Sequence, residues 1–210
     1  MKLGDIMFNS IKACNYVPFE ISKEKLLYED GYRDDPDLGI IVNNKWQAFF
    51  EAYGLALSLH KVAPITKELE KDEDGNYLIP SDNEEIISIF YINKYSKEIV
   101  EVRYNLVGDY IALESPNLNN LYISYIRRLE FMDDANFKQY KDDIDMKKEY
   151  GISDGLASIL VSLISSILFR AYNENDAQVR FNNAVALLNN LRVYGDYKLN
   201  KQRRIYPYHG

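Results

Sequence analysis

Apolar side chains recur every three or four positions at both ends of the chain and alternate with polar ones in its middle. From Leu3 to Ile11 this spacing predicts a short helix. A second helix is predicted over Asn43–Lys61, because the spacing persists until Pro64 ends it. Its apolar positions are Trp46, Phe49, Phe50, Tyr53 and Leu57, followed by His60 or Lys61. The charged segment between the helices, Glu20–Asp37, is predicted to be an exposed loop.

Short β-rich runs separated by Gly, Pro and Asn occupy the middle of the chain, from Lys67 to Arg128. The predicted strands are Tyr77–Ile79, Glu85–Tyr91, Val100–Val107, Tyr110–Leu113 and Leu121–Arg127. In the predicted strand Val100–Val107, Val102, Tyr104 and Leu106 alternate with polar residues, which predicts one buried and one solvent-exposed face. Gly108-Asp109 is predicted to be a hairpin turn. The pattern therefore indicates a small antiparallel sheet inserted between helical segments.

Two further helices are predicted near the C-terminus. Ser153 or Asp154 can cap a helix that continues to Tyr172. Its apolar face consists of Leu156, Ile159, Leu160, Leu163, Ile164, Ile167 and Leu168. A turn over Asn173–Asp176 then leads into a helix over Ala177–Tyr194, which the glycine at 195 ends. The apolar positions of this last helix are Phe181, Ala184, Val185, Leu188 and Leu191.

These elements predict an α+β fold with three parts. Residues 1–66 and 130–194 form a helical bundle domain with a long C-terminal helical hairpin, and residues 67–129 form the inserted β-region. Residues 195–210 have no apolar period and contain Pro207, so they are predicted to be an extended arm that orders on a partner.

Composition narrows the class of protein. Hydrophobic residues make up 47% and charged residues 27% of the chain, as in ordinary globular proteins, and no apolar run reaches the length of a membrane-spanning helix. The N-terminus has no signal-peptide pattern, so we expect the chain to be made and used in a cytoplasm. One cysteine, Cys14, and two distant histidines, His60 and His209, do not match a disulfide or zinc pattern. We therefore expect no metal and no cofactor.

The charge is unevenly distributed. The formal net charge is −7, but the segment from Arg192 onward has five cations and only Asp196 as an acid, a net charge of +4 that leaves −11 for residues 1–191. An acidic body with a basic tail argues against a protein that coats nucleic acid over its whole surface. The 18 tyrosines beside one tryptophan are typical of assembly surfaces, and an AT-rich coding sequence is an equally good explanation.

Two acidic segments could suggest chemistry. Asp72, Asp74 and Asn76 have the first spacings of a calcium loop, but the glycine comes one position early and Asn83 stands where a bidentate glutamate is needed. A hairpin turn is the favoured interpretation.

The second acidic segment contains Asp142, Asp143, Asp145 and Glu149, which alternate with lysines and have no apolar neighbours to raise a pKa. A solvated face is the favoured interpretation here. Cys14 is predicted to be a buried structural thiol, and no nucleophile elbow or phosphate-binding loop occurs. The pattern predicts that the chain is not an enzyme.

Two features point to contacts with partners. The serines at 158, 162, 165 and 166 form a small-residue stripe that allows close helix packing, either within the subunit or between subunits. The arm combines cations with aromatic anchors and is predicted to dock on a partner, with a plain solvated tail as the alternative. Its candidate docking residues are Lys198, Lys201, Arg203, Arg204, Tyr206, Pro207 and Tyr208.

The order of these parts resembles the tail tubular protein A family and the related head-to-tail adaptors of short-tailed bacteriophages. The opening helix resembles the family's in Asp5-Ile6-Met7 and the later Pro18, and the second helix in Asn44-Lys45-Trp46. The entry into the β-region resembles it in Tyr77-Leu78-Ile79-Pro80-Ser81-Asp82 followed by Ile86-Ile87-Ser88-Ile89, and the late strand in Ile123-Ser124-Tyr125-Ile126-Arg127. The paired helices of Leu156–Tyr194 and the arginine, tyrosine and proline of the tail complete the order. The hairpin is richer in leucine, isoleucine and asparagine than in the family, and the acidic loop Glu29–Asp37 also departs from it.

The resemblance implies a structural subunit of a virion. Several copies, expected to be twelve, would form a ring beneath the portal protein, with the β-region toward the tail nozzle and the arm reaching the portal. The ring would retain packaged DNA, join capsid to tail and let DNA pass at ejection without sequence-specific binding. An acidic wall would repel phosphates and favour sliding. No membrane contact is implied.

Two other classes of protein remain as alternatives. The first is a small acidic binding or immunity-type protein that masks a basic partner. The second is a hydrolase that uses the acids between Asp133 and Asp145.

Overall fold

A computed structural model describes residues 1–14, 23, 27, 36–114, 118, 120–129 and 150–193. The chain forms two compact units. One combines Met1–Ala63 with the described residues of Phe131–Val193, and the other contains the described residues of Pro64–Glu130. The first unit is helical and the second is built of strands, so the predicted α+β class is confirmed.

A mostly buried helix organises the first unit. In the described ranges the unit contains α1 (Leu3–Lys12), α2 (Pro36–Asn43), α3 (Lys45–Ser58), α4 (Asp154–Phe169) and α5 (Glu174–Asn190). Helix α4 packs against α1, α3 and α5, because apolar side chains leave it in several directions rather than along one stripe. Helix α2 packs against α3, and α4 and α5 form the predicted C-terminal helical pair.

Side chains close the ends of these helices. Ser153 accepts a hydrogen bond from the Leu156 amide at 3.3 Å and so caps α4, as the sequence predicted. At the same end of the pair, where α5 finishes, the Lys61 ammonium donates to the carbonyl oxygens of Asn189 at 2.8 Å and Leu191 at 3.1 Å. This cation neutralises the exposed carbonyl end of α5.

The second unit contains two antiparallel sheets. Its described strands are β1 (Ile65–Glu68), β2 (Tyr77–Leu78), β3 (Asn83–Ile92), β4 (Ile99–Glu101), β5 (Tyr104–Val107), β6 (Tyr110–Leu113) and β7 (Leu121–Arg127). One sheet has the order β1-β7-β3-β4 and the other β2-β6-β5. Gly108 has a φ of +59° in the turn between β5 and β6, so the predicted hairpin is confirmed.

The two sheets share one apolar core. Ile89, Ile123 and Tyr125 come from the first sheet, and Tyr77 and Ile111 from the second, and all five belong to one buried cluster. Strand β7 is the most buried of the strands, since it lies between β1 and β3. Its burial on both faces explains why its sequence alternates poorly.

The predicted loop Glu20–Asp37 and the predicted helix Asn43–Lys61 were both wrong at their boundaries. Helix α2 begins at Pro36, inside the predicted loop, because a proline is well tolerated in the first helical turn. Its own apolar side chains, Leu38, Ile41 and Val42, are buried in the first unit. Helix α3 ends at Ser58 rather than Lys61, since His60 adopts a left-handed φ of +53°.

The turn and end of the C-terminal pair also differ from the prediction. Asn173 accepts a hydrogen bond from the Asp176 amide at 3.1 Å, so the predicted turn is instead a helix cap followed by the first turn of α5. Helix α4 ends at Phe169 instead of Tyr172, and α5 ends at Asn190 instead of Tyr194.

The predicted single sheet is two sheets. The predicted strand Val100–Val107 divides into β4 and β5, because the Val102 amide bonds to Ile89 in one sheet while the Arg103 carbonyl accepts from Glu114 in the other. Leu106, predicted to be buried, is 56% exposed. Strand β1 was missed because it is a short edge strand with a largely polar, exposed sequence.

Among the described residues, no helix combines the length and apolarity needed to cross a membrane.

Candidate functional site

A polar network joins the start of β3 to the end of β7. The hydroxyl of Tyr125 donates to Oδ1 of Asp82 at 2.8 Å, and Nε of Arg127 lies 2.8 Å from Oδ2 of the same carboxylate. The Arg128 amide donates to the Asp82 carbonyl oxygen at 2.8 Å. Pairing of Asn83 with Arg127 across the strands sets these groups opposite one another. The network therefore connects Asp82 to three residues of a segment that lies more than 40 positions later in the sequence.

The groups of this network are largely removed from water. The Asp82 side chain is 12% exposed and that of Arg127 26% exposed. Burial raises the pKa of the Tyr125 hydroxyl far above its usual value, and the hydrogen bond to Asp82 raises it further. The Arg127 N–H does not point along a hydrogen bond, so that contact is an ion pair. A tyrosine that stays protonated and a carboxylate with both oxygens engaged stabilise the fold and are poorly placed for acid–base catalysis.

One buried acceptor lies beside the network. Oδ1 of Asn83 is shielded from solvent and accepts no hydrogen bond from the residues that the structure describes. A bound water would satisfy it.

The single cysteine is buried, as predicted. The Cys14 thiol donates to the carbonyl oxygens of Ser10 at 3.4 Å and Ser165 at 3.5 Å. Burial raises the pKa of this thiol to about 12, and the charge of Arg180 lowers it by less. A thiol held in the protonated form is a weak nucleophile, so Cys14 acts as a packing residue between α1 and α4.

The calcium-like segment is a tight turn, which is the interpretation that the sequence favoured. Oδ1 of Asp72 accepts from the Asn76 amide at 2.8 Å, and Oδ2 accepts from the Asn76 side chain at 3.1 Å. Gly75 supplies a φ of +85°. These hydrogen bonds lower the pKa of Asp72, with the side-chain bond as the largest cause. The carboxylate thus serves the turn itself.

The serine stripe does not form one surface. Ser165 and Ser166 are buried, whereas Ser158 is exposed and Ser162 is intermediate. Each hydroxyl donates to a carbonyl oxygen three or four residues earlier in the same helix. The two buried serines therefore support packing inside the unit.

A half-open groove lies between Lys67–Glu70 and Leu78–Ser81. Its volume is about 250 Å³, which is below the ~300–1,000 Å³ of typical ligand pockets. The part of the chain that the structure describes contains no cluster of three His, Cys, Asp or Glu side chains able to hold a metal ion.

Two groups of sequence-predicted residues lie outside the described residues. These are the arm residues Lys198, Lys201, Arg203, Arg204, Tyr206, Pro207 and Tyr208, and the acids Asp142, Asp143, Asp145 and Glu149. Their assigned roles stay predictions.

The contact of Asp82 with Tyr125 and Arg127 was not predicted from the sequence. These residues nevertheless belong to the two β-region phrases that carry the resemblance. A tyrosine and an arginine two positions apart on one strand were the only local signal. Sequence reasoning also missed Tyr95, which is 98% exposed in the loop between β3 and β4. Its signal was an aromatic residue between two lysines in an Asn-containing turn.

No model of a known protein family matches the chain, and no curated protein matches it.

Proposed function

We propose that this chain is a structural head-to-tail adaptor of a short-tailed bacteriophage virion, the ring subunit that joins the portal protein to the tail. Twelve copies would surround the DNA channel at the head–tail interface. The role is mechanical and not enzymatic: the ring retains packaged DNA and lets it pass at ejection.

The observation that carries this proposal is the contact between the two β-region phrases on which the resemblance rests. Asp82 ends the first phrase, and Tyr125 and Arg127 belong to the second. Both oxygens of the Asp82 carboxylate are engaged by the second phrase. The two phrases thus contact each other in the folded chain. This contact supports reading the two phrases together as one feature of the resemblance.

The distribution of exposed apolar side chains also supports an assembly role. In the second unit, five apolar or aromatic side chains are each at least 44% exposed: Ile92, Tyr95, Ile99, Leu106 and Val107. Exposed apolar side chains of this size are typical of protein–protein contacts when they cluster. The outer surface of α5 adds a second candidate, since Val179 and Leu187 are exposed there among asparagines.

The test is assembly with the cognate portal protein. The chain is mixed with purified portal rings and measured by native mass spectrometry and negative-stain electron microscopy. We expect a complex in which a ring of this chain sits coaxially on the portal. The chain alone is measured in parallel, because an adaptor can stay monomeric until the portal provides a template.

Three outcomes would contradict the proposal. A tight one-to-one complex with a small basic protein, without portal binding, would favour an immunity-type binding protein. Absence of the chain from purified particles that contain the portal would exclude a virion role. Hydrolytic activity lost on replacement of acids between Asp133 and Asp145 would favour the enzyme alternative.

A further inference from the structure

The hairpin of β3 and β4 presents apolar side chains that the described residues leave uncovered. Ile92 and Ile99 pair directly across the strands and are 44% and 54% exposed. Phe90 lies two residues before Ile92 on the same sheet face and stacks on Tyr122 with 5.7 Å between ring centroids. These side chains form a continuous apolar strip that leads to the loop of the hairpin.

That loop, residues 93–98, is called the hairpin tip. Oδ1 of Asn93 accepts hydrogen bonds from the amides of Tyr95 at 2.9 Å and Ser96 at 3.3 Å. The Asn93 amide donates to the Glu98 carbonyl oxygen at 2.9 Å, which closes the loop. A loop fixed in this way presents Tyr95 at a low entropic cost of binding.

Two lysines flank this tyrosine. Lys94 and Lys97 are exposed, and neither has an ion pair within the described residues. Lys97 adopts a left-handed φ of +59°, a conformation that glycine would adopt with less strain. An exposed tyrosine with unpaired cations beside it fits an acidic protein surface.

The same unit contains such a surface. Residues 70–76, called the acidic turn, include four acidic residues and one lysine, a net charge of −3. Asp72 is engaged by Asn76, but Glu70, Glu73 and Asp74 are exposed.

The acidic turn and the hairpin tip lie at the same end of the four-stranded sheet but at opposite edges. The amide of Leu69, just before the turn, donates to Leu121 at 2.8 Å, and Leu121 pairs with Tyr91, just before the tip. In the order β1-β7-β3-β4, the turn follows the strand at one edge, and the tip joins the strand at the other edge to its neighbour. Copies placed side by side would therefore bring the tip of one to the turn of the next.

We propose that the hairpin tip of one copy docks on the acidic turn of a second copy, in a head-to-tail contact. Tyr95 and the Ile92/Ile99 pair provide the apolar centre, and Lys94 and Lys97 pair with Glu70, Glu73 and Asp74. A contact between two different surfaces repeats from copy to copy and closes into a ring when its rotation allows. The inference names the self-contact of the ring and to that extent rests on the proposed function.

The test is disulfide trapping between copies of the full chain. Ser96→Cys on the tip is combined with Asp74→Cys on the turn, and the protein is oxidised at high concentration, both alone and in the presence of portal rings. The native Cys14 is buried with a raised pKa and stays out of the reaction. We expect disulfide-linked trimers and larger species from the double variant, whereas each single variant can form dimers at most.

A matched control uses Ser96→Cys with Asp109→Cys, which also replaces an exposed aspartate in a turn, here between β5 and β6. Trapping of the first pair at no more than the level of this control, both without and with portal rings, overturns the contact. Disulfide dimers as the end product of the first pair also overturn it, because they indicate a two-fold arrangement.

Charge reversal separates a specific contact from collision. In the trapping variant, Lys94→Glu with Lys97→Glu should reduce the larger species to the level of the control pair. Adding Glu70→Lys and Glu73→Lys should restore them. Failure of this rescue in variants with unchanged near-ultraviolet circular dichroism contradicts the assigned charge pairing.

The result is separable from that of the portal experiment. Rings that form on the portal without trapping leave the proposed function standing and overturn this contact. Trapped chains without portal binding support the self-contact and contradict the adaptor role.

Discussion

The hydroxyl of Tyr125 donates a 2.8 Å hydrogen bond to the Asp82 carboxylate across 43 positions of sequence. Tyr125 is 1% exposed, so its hydroxyl has no solvent to replace this partner. Asp82 precedes β3 and Tyr125 lies on β7, and the bond therefore fixes the start of β3 against the most buried strand of the second unit.

Removal of the two partners should have unequal effects on stability. Tyr125→Phe leaves Asp82 paired with Arg127 and should lower the free energy of unfolding by about 1–2 kcal/mol. Asp82→Ala leaves the Tyr125 hydroxyl and the partly buried Arg127 guanidinium without their shared partner. This substitution should lower the free energy of unfolding by about 2–4 kcal/mol. Urea unfolding of both variants and of the double variant measures this. If the loss of unfolding free energy in the double variant equals the sum of the two single losses, the two residues are not coupled.

Alkaline pH should destabilise the protein in part through Cys14. Its pKa is raised in the folded state from 9.0 to about 12, so its contribution to stability is complete below pH 9 and is lost as the pH rises toward 12. The loss reaches about 1.4 kcal/mol per pH unit. Unfolding of wild type and Cys14→Ala should be compared between pH 8 and 11. A slope unchanged by the substitution would assign the alkaline loss to other groups, among them Tyr125.

The Lys61 cap should stabilise the end of α5. Lys61→Met keeps the aliphatic stem and removes the donor to Asn189 and Leu191, so we expect a loss of about 1 kcal/mol. The control is Lys94→Met, an exposed lysine in a loop, which should change the free energy of unfolding by less than about 0.5 kcal/mol. Hydrogen exchange should show faster opening of the last turn of α5 only in Lys61→Met.

Across the C-terminal helical pair, the arginine that caps α4 and an arginine of α5 each lie over a phenylalanine ring of the other helix. Arg180 lies 4.4 Å from the ring centroid of Phe169, and Arg170 lies 5.8 Å from that of Phe181. Because the attraction weakens with distance, Arg180→Met should lower stability by about 1 kcal/mol and Arg170→Met by less. Thermal unfolding in parallel measures the difference. Equal losses would indicate that hydrophobic packing of the stems dominates.

The arm should act in assembly and not in folding. Deletion of residues 195–210 removes the cations and aromatic residues assigned to portal docking, and we expect unchanged unfolding with weaker binding to portal rings. A variant in which Lys201, Arg203 and Arg204 become glutamine tests the charges separately. Portal binding that survives both changes would remove the role assigned to the arm.

The sequence by itself determined the elements whose pattern is local. Helices α1 and α4 show an uninterrupted apolar period, and Ser153 marks the start of α4. Strands β6 and β7 coincide with their predicted bounds because turn residues delimit them on at least one side. The burial of Cys14 followed from its position just after an amphipathic helix.

Only the tertiary structure decided the rest. Strand β1 has a polar sequence and exists because β7 offers it a partner, and β4 separates from β5 because the chain leaves one sheet for the other. The bond between Tyr125 and Asp82 depends on the pairing of β3 with β7, a contact between distant segments that no local pattern encodes. Periodicity reports which side of an element is apolar, whereas the partner that covers it is set by packing across the whole chain.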